Sequence, residues 1–231
     1  MKPIAPGAIS AAAEAFLRPE VEALPSRRRE RSWDLCFSHF REHPRPTEAM
    51  ETSCLHLGYY LASWGMLRGS SFLFRETNLL HYQGVIEVIE KHDEDLRGWD
   101  VPDYLDPAKY EHFSLAWTDL YEALLPEGGQ GLTLISKVMM GVWGCLPSFD
   151  TFFVATFKGL SETRTERGAW NRAGRGALGM LHDVYDQHAD EIENVRDRYP
   201  VWDFASGGPS ERRMTRAKVL DIYGFHESWK S

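Results

Sequence analysis

Apolar side chains recur at helical spacing along most of this chain, and runs that alternate between apolar and polar residues are scarce. Trp33, Phe37 and Phe40, for example, follow one another at intervals of four and three residues, which places them on one face of a helix. Proline and glycine separate such stretches and set where the helices end. We therefore predict an all-α fold, formed as two helical lobes with a cleft between them.

The length and composition of the chain fit one folded domain. It has 231 residues, of which 43% are hydrophobic and 13% aromatic, and this is enough apolar surface for a single packed core. Residues 1–31 combine an alanine-rich stretch with Pro19, Pro25 and a run of arginines, so we expect a peripheral N-terminal segment there. Residues 32–231 are expected to form the helical domain.

Several helix boundaries are predicted by local signals. Thr47 is expected to cap a long helix that runs to about Arg68 and is buried on nearly all sides. Asp106 stands directly before a proline, which is a favourable start for a further helix. Over residues 166–199 we predict one long charged helix, and we expect Ser210 to cap the final helix.

The charge of the chain limits how it can meet nucleic acid. A formal net charge of −8 argues against a protein that coats nucleic acid with its whole surface, because phosphate binding relies on clustered Lys and Arg. Three basic clusters nevertheless occur, and each is equally consistent with solvated helix ends. The clusters are Arg27, Arg28, Arg29 and Arg31; Lys158, Arg164, Arg167, Arg172 and Arg175; and Arg212, Arg213, Arg216 and Lys218.

The cysteines and the hydropathy pattern indicate a cytoplasmic protein. Cys36, Cys54 and Cys145 show no C-x-x-C spacing, so neither a disulfide framework nor a zinc site is expected. The sequence contains no uninterrupted apolar run of about 18 residues that would span a membrane. It also lacks the features of a secretion signal, so we expect no membrane contact.

The segment Thr133–Phe153 holds the clearest chemical signal in the chain. Lys137 and Asp150 are its only charged residues. Asp150 follows a Gly-Cys-Leu-Pro helix stop and occupies a predicted N-cap position. We therefore expect the lysine to lie on an apolar helix, and the carboxylate to lie at the positive end of the next helix.

This order of turn, lysine-bearing helix and aspartate-capped helix resembles the catalytic region of the helix-hairpin-helix superfamily of base-excision DNA glycosylases. The resemblance covers about residues 47–160 and is most specific over 133–153. In that family, an aspartate at the start of a helix stabilises the positive sugar as the base departs. In bifunctional members, a lysine of the preceding helix attacks C1′. The resemblance implies these two roles for Asp150 and Lys137.

Base excision suits both residue types. N-glycosidic cleavage passes through an oxocarbenium-like sugar, which a fixed carboxylate stabilises electrostatically, and a lysine in an apolar site can act as a nucleophile. The DNA-gripping hairpin of the family has its glycines just before the lysine, whereas Gly128, Gly129 and Gly131 lie several residues earlier here. The presence of that hairpin, and strand cleavage in addition to base removal, both stay open.

A glycosylase must hold the extruded base between aromatic or apolar surfaces and must also contact the DNA backbone. The candidate base-pocket residues are Tyr60, Trp64, Trp143 and Phe149, which would equally serve as plain core. The candidate DNA contacts are Arg68, Ser70, Ser71, Arg164, Arg167, Arg172 and Arg175. The expected partner is double-stranded DNA with a damaged base or a hypermodified phage base. No metal ion or organic cofactor is needed for this reaction.

Two other classes of protein stay open. A helical protein-interaction domain would use Lys137 and Asp150 only as architecture. An HD-type metal phosphohydrolase would need neutral imidazoles and carboxylates that converge on a metal. The candidates for such a site are the dipeptides His92-Asp93 and His182-Asp183 with His56 upstream, and the set His182, Asp186 and Asp190 at i, i+4 spacing on one helix. Motifs for a serine nucleophile, a P-loop or a dinucleotide site do not occur in the sequence.

Overall fold

The computed structural model describes residues 1–17 and 29–229, and within these ranges the fold is all-α, as predicted. The α-helices are α1 (Ala8–Leu17), α2 (Arg31–Glu42), α3 (Met50–Ser63), α4 (Phe72–Arg75), α5 (Gln83–Leu96), α6 (Pro107–Leu124), α7 (Leu132–Val142), α8 (Thr151–Leu160), α9 (Arg164–Ala169), α10 (Arg175–Arg198) and α11 (Arg216–Trp229). Short 3-10 helices cover Pro46–Ala49, Leu79–Tyr82 and Val101–Asp103. One antiparallel pair, β1 (Trp202–Asp203) and β2 (Gly208–Pro209), precedes α11. No helix among these is long and apolar enough to cross a membrane.

The helices pack in two groups around one continuous hydrophobic core. The first group contains α2, α3, α5, α6 and α7, and the second contains α1, α8, α9, α10 and α11. Helix α11 is central to the second group because it packs on α1, α8 and α10. A Cβ at Gly224 would lie 2.4 Å from Phe153 Cδ2, so glycine is needed where α11 meets α8.

The N-terminal segment is more deeply packed than the sequence analysis expects. Helix α1 lies against α10 and α11, and its side chains Ile9, Ala13 and Leu17 are buried in the core. The prediction of a peripheral segment is therefore wrong for α1, because its alanine-rich face lets α11 approach closely. Residues 18–28 of that segment, which include Pro19, Pro25, Arg27 and Arg28, lie outside the described residues.

Two predicted helix starts are confirmed by their caps. The Asp106 carboxylate accepts hydrogen bonds from two backbone N–H groups at the start of α6. The Asp150 carboxylate does the same at the start of α8, which ends at Leu160. Both caps satisfy N–H groups that have no partner within their own helix.

Helix α3 is shorter and less buried than predicted. It ends at Ser63, because Gly65 adopts a left-handed backbone with φ of 76° and the Met66 N–H turns back to the Leu61 carbonyl at 2.9 Å. This is a common way to end a helix. The outer face of α3 carries Leu55, which is 52% exposed, and Tyr59, which is 64% exposed. The prediction of burial on nearly all sides is therefore wrong.

The C-terminal half also departs from the prediction. The predicted helix over 166–199 is divided into α9 and α10, because Trp170 leaves the helical path, is buried in the core and donates its indole N–H to Ser161 Oγ at 3.0 Å. Ser210 does not cap the last helix, which begins at Arg216. The first N–H groups of α11 are instead bound by the distant Asp100 carboxylate, at 2.8 and 2.9 Å.

Candidate active site

Lys137 and Asp150 meet where α7 and α8 join the two helix groups. Lys137 lies on α7 and is only 3% exposed. Its Nζ lies 3.3 Å from Asp150 Oδ2. Asp150 Oδ1 accepts the N–H groups of Phe152 and Phe153, both at 3.0 Å, so the cap holds the carboxylate in one orientation.

The loop between these helices must follow a tight path to bring the two residues together. Gly144 has a left-handed backbone with φ of 65°, and a Cβ there would lie 2.8 Å from Thr215 Cγ2 and 3.0 Å from Phe37 Cε2. Only glycine fits such a position without strain. The Thr215 hydroxyl also donates to the Gly144 carbonyl at 2.6 Å, which ties the loop to the start of α11.

A cavity of about 630 Å³ opens above the Lys137–Asp150 pair. It is lined by α3, the loop after it, α7, α8 and α11, and it has the size of a typical small-molecule site. Its charged lining residues are Arg29, Arg68, Lys137 and Asp150. The described lining therefore carries an excess of positive charge. We call this space the outer cavity.

A second buried ion pair lies beneath the first. Lys218 Nζ lies 2.8 Å from Asp221 Oδ2, and Asp221 Oδ1 accepts the Ser148 N–H at 2.8 Å. Both pairs border a small inner cavity of about 10 Å³, a volume close to what one water molecule needs. The inner cavity thus brings two lysines and two aspartates together.

Sequence analysis missed the Lys218–Asp221 pair. It grouped Lys218 with surface arginines, whereas Lys218 is only 4% exposed. One signal points to burial: the run Val-Leu-Asp-Ile-Tyr that contains Asp221 is otherwise apolar. An apolar run of this kind indicates burial, and a charged residue is rarely fully buried unless it is paired. The run therefore indicates that Asp221 has a partner.

Trp64 forms an aromatic wall shared by the outer and inner cavities. Its ring centre lies 5.5 Å from Lys137 Nζ and 5.6 Å from Lys218 Nζ, distances at which cation–π attraction operates. Phe16 stacks on it and Phe225 contacts it edge-on, at centroid distances of 6.3 and 5.8 Å. Trp64 is the predicted base-pocket residue that reaches the outer cavity.

Tyr60 borders the inner cavity but not the outer cavity. It is buried between α3 and α7, and a Cβ at Gly141 would lie 2.4 Å from Tyr60 Cε1. Burial, together with the nearby Asp221 carboxylate, raises the pKa of Tyr60 well above its usual value. The Tyr60 hydroxyl therefore stays neutral at physiological pH and can donate or accept a hydrogen bond at the inner cavity.

Trp143 and Phe149 do not reach either cavity, so the prediction that they line a base pocket is wrong. Trp143 is buried in the core and donates its indole N–H to Asp93 Oδ1 at 3.0 Å. Phe149 packs against Phe153 and Trp170, at centroid distances of 5.4 and 6.3 Å. Both side chains lie on the core side of the loop, where apolar rings are buried most effectively.

The residues after α3 have different places around the outer cavity. Arg68 is exposed and lines it. Ser71 also lines it, and its hydroxyl accepts the Phe74 N–H as the cap of α4. Ser70 is exposed but does not line the cavity.

The second basic cluster lies away from the outer cavity. Helix α8 starts at the cavity and has ten residues, which is about 15 Å of helix, and the cluster follows its far end. Arg167 donates to the Ser161 carbonyl at 3.1 Å, and the Arg175 guanidinium lies 4.0 Å from the Tyr110 ring centre. Arg164, Arg167, Arg172 and Arg175 therefore do not line the outer cavity, and DNA contact by them stays a prediction.

The histidines named for a metal site pair separately. His92 Nε2 lies 2.6 Å from Asp119 Oδ2, and His182 Nδ1 lies 3.3 Å from Asp186 Oδ2. In the described part of the chain, no three His, Cys, Asp or Glu side chains form a group that could hold a metal ion. The structure therefore gives the metal phosphohydrolase alternative no built site.

Comparison of the chain with protein-family models, with curated proteins and with solved structures finds no match.

Proposed function

We propose that this protein is a DNA glycosylase, which removes a base by cleaving the N-glycosidic bond of a nucleotide held in the outer cavity. The observation that carries the proposal is the position of Asp150 and Lys137 at the floor of an open cavity of about 630 Å³ with Trp64 on its wall. An extruded base needs such a cavity and an aromatic surface to stack on. The reaction also needs a fixed carboxylate near the sugar.

Asp150 would stabilise the sugar cation or orient the attacking water. Its Oδ1 is held by two amides and its Oδ2 faces Lys137, so little reorganisation is needed when positive charge develops on the sugar. Its side chain is 15% exposed, which leaves it accessible from the outer cavity. A carboxylate sealed in the core could not act in this way.

Lys137 has two candidate roles at the same place. As a nucleophile it would attack C1′ and displace the base, giving a covalent enzyme–sugar intermediate. As a pocket cation it would instead hold Asp150 in position through their 3.3 Å contact. Substitution of Lys137 separates these roles, because only the first requires an amine for base removal.

The proposed partner is double-stranded DNA, although the whole chain is acidic. Arg29 and Arg68 lie at the outer cavity together with Lys137, and Asp150 is the acidic residue among the described lining. This local excess of positive charge suits backbone phosphates next to an extruded nucleotide. Affinity for DNA should then fall with rising salt.

The proposed setting is the cytoplasm, and the proposed substrates are a damaged base of host DNA or a hypermodified base of phage DNA. The second substrate would make the protein part of antiviral defence. Both bases would use the same cavity and the same bond cleavage, so one experiment with both kinds of DNA covers them.

The test is to incubate the purified protein with plain, damaged and phage-modified duplexes and to measure abasic sites. Asp150→Asn should lower excision by about 100-fold, the usual cost of removing one electrostatic contact to a transition state. Asp106→Asn is the matched control, because Asp106 caps α6 in the same manner, and it should keep its excision rate within about twofold, since Asn is an equally good cap.

Two outcomes would count against the proposal: no duplex loses a base, or folded Asp150→Asn and Lys137→Ala variants excise as fast as the unmodified chain. Loss of activity in Asp150→Asn, with activity retained in Lys137→Ala, would identify an enzyme that uses water. Loss in both variants, together with a borohydride-trapped DNA adduct in the unmodified chain, would identify Lys137 as the nucleophile.

A non-catalytic interaction domain is the second candidate, and one observation favours it. The outer face of α3 exposes Leu55 and Tyr59 next to Phe204, and exposed apolar side chains that lie together are typical of protein contacts. In this case Asp150 is only a helix cap with a lysine partner. Normal folding of Asp150→Asn, with no excision by either form, would then be expected.

A further inference from the structure

The outer cavity has a continuous aromatic wall. Its lining includes the rings of Trp64, Phe152, Phe225 and Trp229. Phe225 contacts Trp64 edge-on, with ring centres 5.8 Å apart, and stacks on Trp229, with ring centres 5.6 Å apart. Phe152 contacts Phe225 and Trp229 edge-on, at centroid distances of 5.2 and 5.4 Å. Stacked and edge-on pairs are the favourable arrangements of aromatic rings, so the four rings form one connected and well-supported surface.

The two tryptophans of this wall differ in depth. Trp64 also borders the inner cavity, which places it at the deep end of the outer cavity. Trp229 is 59% exposed, and among the described residues of the lining it is the large apolar side chain that is exposed. Phe225 contacts both of them. The outer cavity therefore offers one stacking surface at depth and a second one at its mouth.

The stacking surface at the mouth is connected to the proposed catalytic carboxylate. The Phe152 N–H donates to Asp150 Oδ1 at 3.0 Å, and the Phe152 ring contacts Trp229. We therefore expect that a strand with one sugar at Asp150 brings its next nucleotide to Trp229. Arg29 and Arg68 line the same cavity, and their charge suits the phosphates on either side of that sugar.

The spacing of the rings indicates which kind of strand fits. Successive bases of a stacked strand lie about 3.4 Å apart. Trp64 and Trp229 are linked through Phe225, and each of these two steps, 5.8 and 5.6 Å between ring centres, is longer. Two neighbouring bases that use both tryptophans must therefore separate from each other. This separation costs least when the bases are unpaired.

We infer that the outer cavity binds two adjacent nucleotides of an unpaired DNA strand, with the target base near Trp64 and the flanking base stacked on Trp229. This inference rests on the proposed glycosylase function and names its substrate class, which is a target in a single strand or in an unpaired bubble of a duplex. Aromatic surfaces and a positively charged groove are the common means of binding such strands. Trp229 is then a binding residue and takes no part in bond cleavage.

The first test measures binding of undamaged DNA by fluorescence anisotropy. The probes are a labelled oligothymidylate of about 12 nucleotides and the same strand paired with its complement. We expect the single strand to bind at least about tenfold more tightly than the duplex. Trp229→Ala should weaken binding of the single strand about tenfold, because one stacked base is lost, and should change binding of the duplex by less than about twofold.

Two further variants serve as comparison and control. Trp229→Phe keeps an aromatic ring and should bind the single strand within about threefold of the unmodified chain. Phe204→Ala removes a ring that is 78% exposed but does not line the outer cavity, so it should leave binding unchanged. Equal or tighter binding of the duplex would overturn the inference. Single-strand binding that Trp229→Ala leaves unchanged, or that Phe204→Ala weakens equally, would also overturn it.

Excision assays separate this inference from the proposed function. For a duplex that loses its base, the same target inside a bubble of unpaired neighbours should be excised at least about fivefold faster, and Trp229→Ala should remove that advantage. Single-strand binding that depends on Trp229, without excision of any base, would keep the two-nucleotide site and overturn the glycosylase proposal. Excision that neither the bubble nor Trp229→Ala changes would do the reverse. Absence of both binding and excision would overturn both.

Discussion

Asp106 and Asp150 are the same residue type in the same local position, but their surroundings differ. Each caps a helix by accepting two backbone N–H groups at distances between 2.9 and 3.2 Å. Asp106 is exposed on the surface, whereas the Asp150 side chain is only 15% exposed and contacts a buried lysine. The two caps are equivalent. The difference lies in the second carboxylate oxygen, which faces a buried lysine in Asp150 and has no such neighbour among the described residues in Asp106.

This comparison shows which part of the site is local and which part is not. The cap contributes on the order of 1 kcal/mol at either position, and it needs only residues adjacent in sequence. The contact between Asp150 and Lys137 needs the loop after α7 to bring the start of α8 back beside Lys137, and residues of α3 and α11 border the same small cavity. The proposed chemistry therefore depends on the packing of four helices.

The largest expected effect is a difference in stability between two alanine variants. Asp106→Ala should lower the free energy of unfolding by about 1 kcal/mol, because it removes a cap. Asp150→Ala should lower it by about 3–5 kcal/mol, because it removes a cap and also leaves Lys137 buried without its counter-charge. Urea unfolding followed by circular dichroism measures both values.

A second substitution checks the cause of that difference. Lys137→Met in the Asp150→Ala background should restore part of the lost stability, since the buried charge disappears with the lysine. Equal losses in the two alanine variants, or no recovery in the double variant, would show that Asp150 acts as a cap alone.

The next effect concerns the close approach of α3 and α7 that encloses Lys137. Gly141→Ala would place a Cβ 2.4 Å from Tyr60 Cε1 and force the two helices apart, at a cost of about 1–3 kcal/mol. Excision should fall as well, because Trp64 directly follows α3 and Lys137 lies on α7. Thermal unfolding and the duplex assay measure the two effects.

Gly179→Ala is the control for that substitution. Gly179 lies inside α10, and its added Cβ would meet Leu105 Cδ2 at an ordinary 3.9 Å, so the higher helix propensity of alanine should raise stability by about 0.5–1 kcal/mol. If Gly141→Ala also stabilised the protein, the close contact of α3 and α7 would not be what shapes the site.

The smallest expected effect is on DNA affinity. Arg68→Gln should weaken duplex binding by about fivefold and reduce the salt dependence of binding by about one ion, because Arg68 lies at the cavity. Arg164→Gln should have no effect on specific binding, since Arg164 lies beyond the far end of α8. Fluorescence anisotropy at two salt concentrations measures both. If Arg164→Gln weakened duplex binding more than Arg68→Gln did, the DNA would lie on the second basic cluster instead.

Sequence reasoning succeeded where the signal is local. The proline and aspartate before α6 and the Gly-Cys-Leu-Pro stop before Asp150 are short-range features, and both gave the correct helix starts. It failed where two signals compete. Helix α3 was expected to run to about Arg68, whereas it ends at Ser63, because the left-handed backbone of Gly65 stops it earlier.

For the site, sequence periodicity could predict burial but not neighbours. Trp64, Trp143 and Phe149 are all aromatic residues in apolar surroundings, yet only Trp64 borders a cavity. Lys218 appeared as one of several basic residues near the end of the chain, and its contact with Asp221 is within one helix. What places that pair at the site is the packing of α11 on α8.

The sequence by itself determined the helical class of this protein, the caps of α6 and α8, and the isolation of Lys137 and Asp150 in an uncharged segment, because these depend on residues close together in the chain. Only the tertiary structure decided that the two residues share a cavity with Lys218, Asp221 and Trp64. Ser148 and Asp221, for example, are 73 positions apart. Contacts over such separations depend on how whole helix faces pack, and no local pattern encodes them.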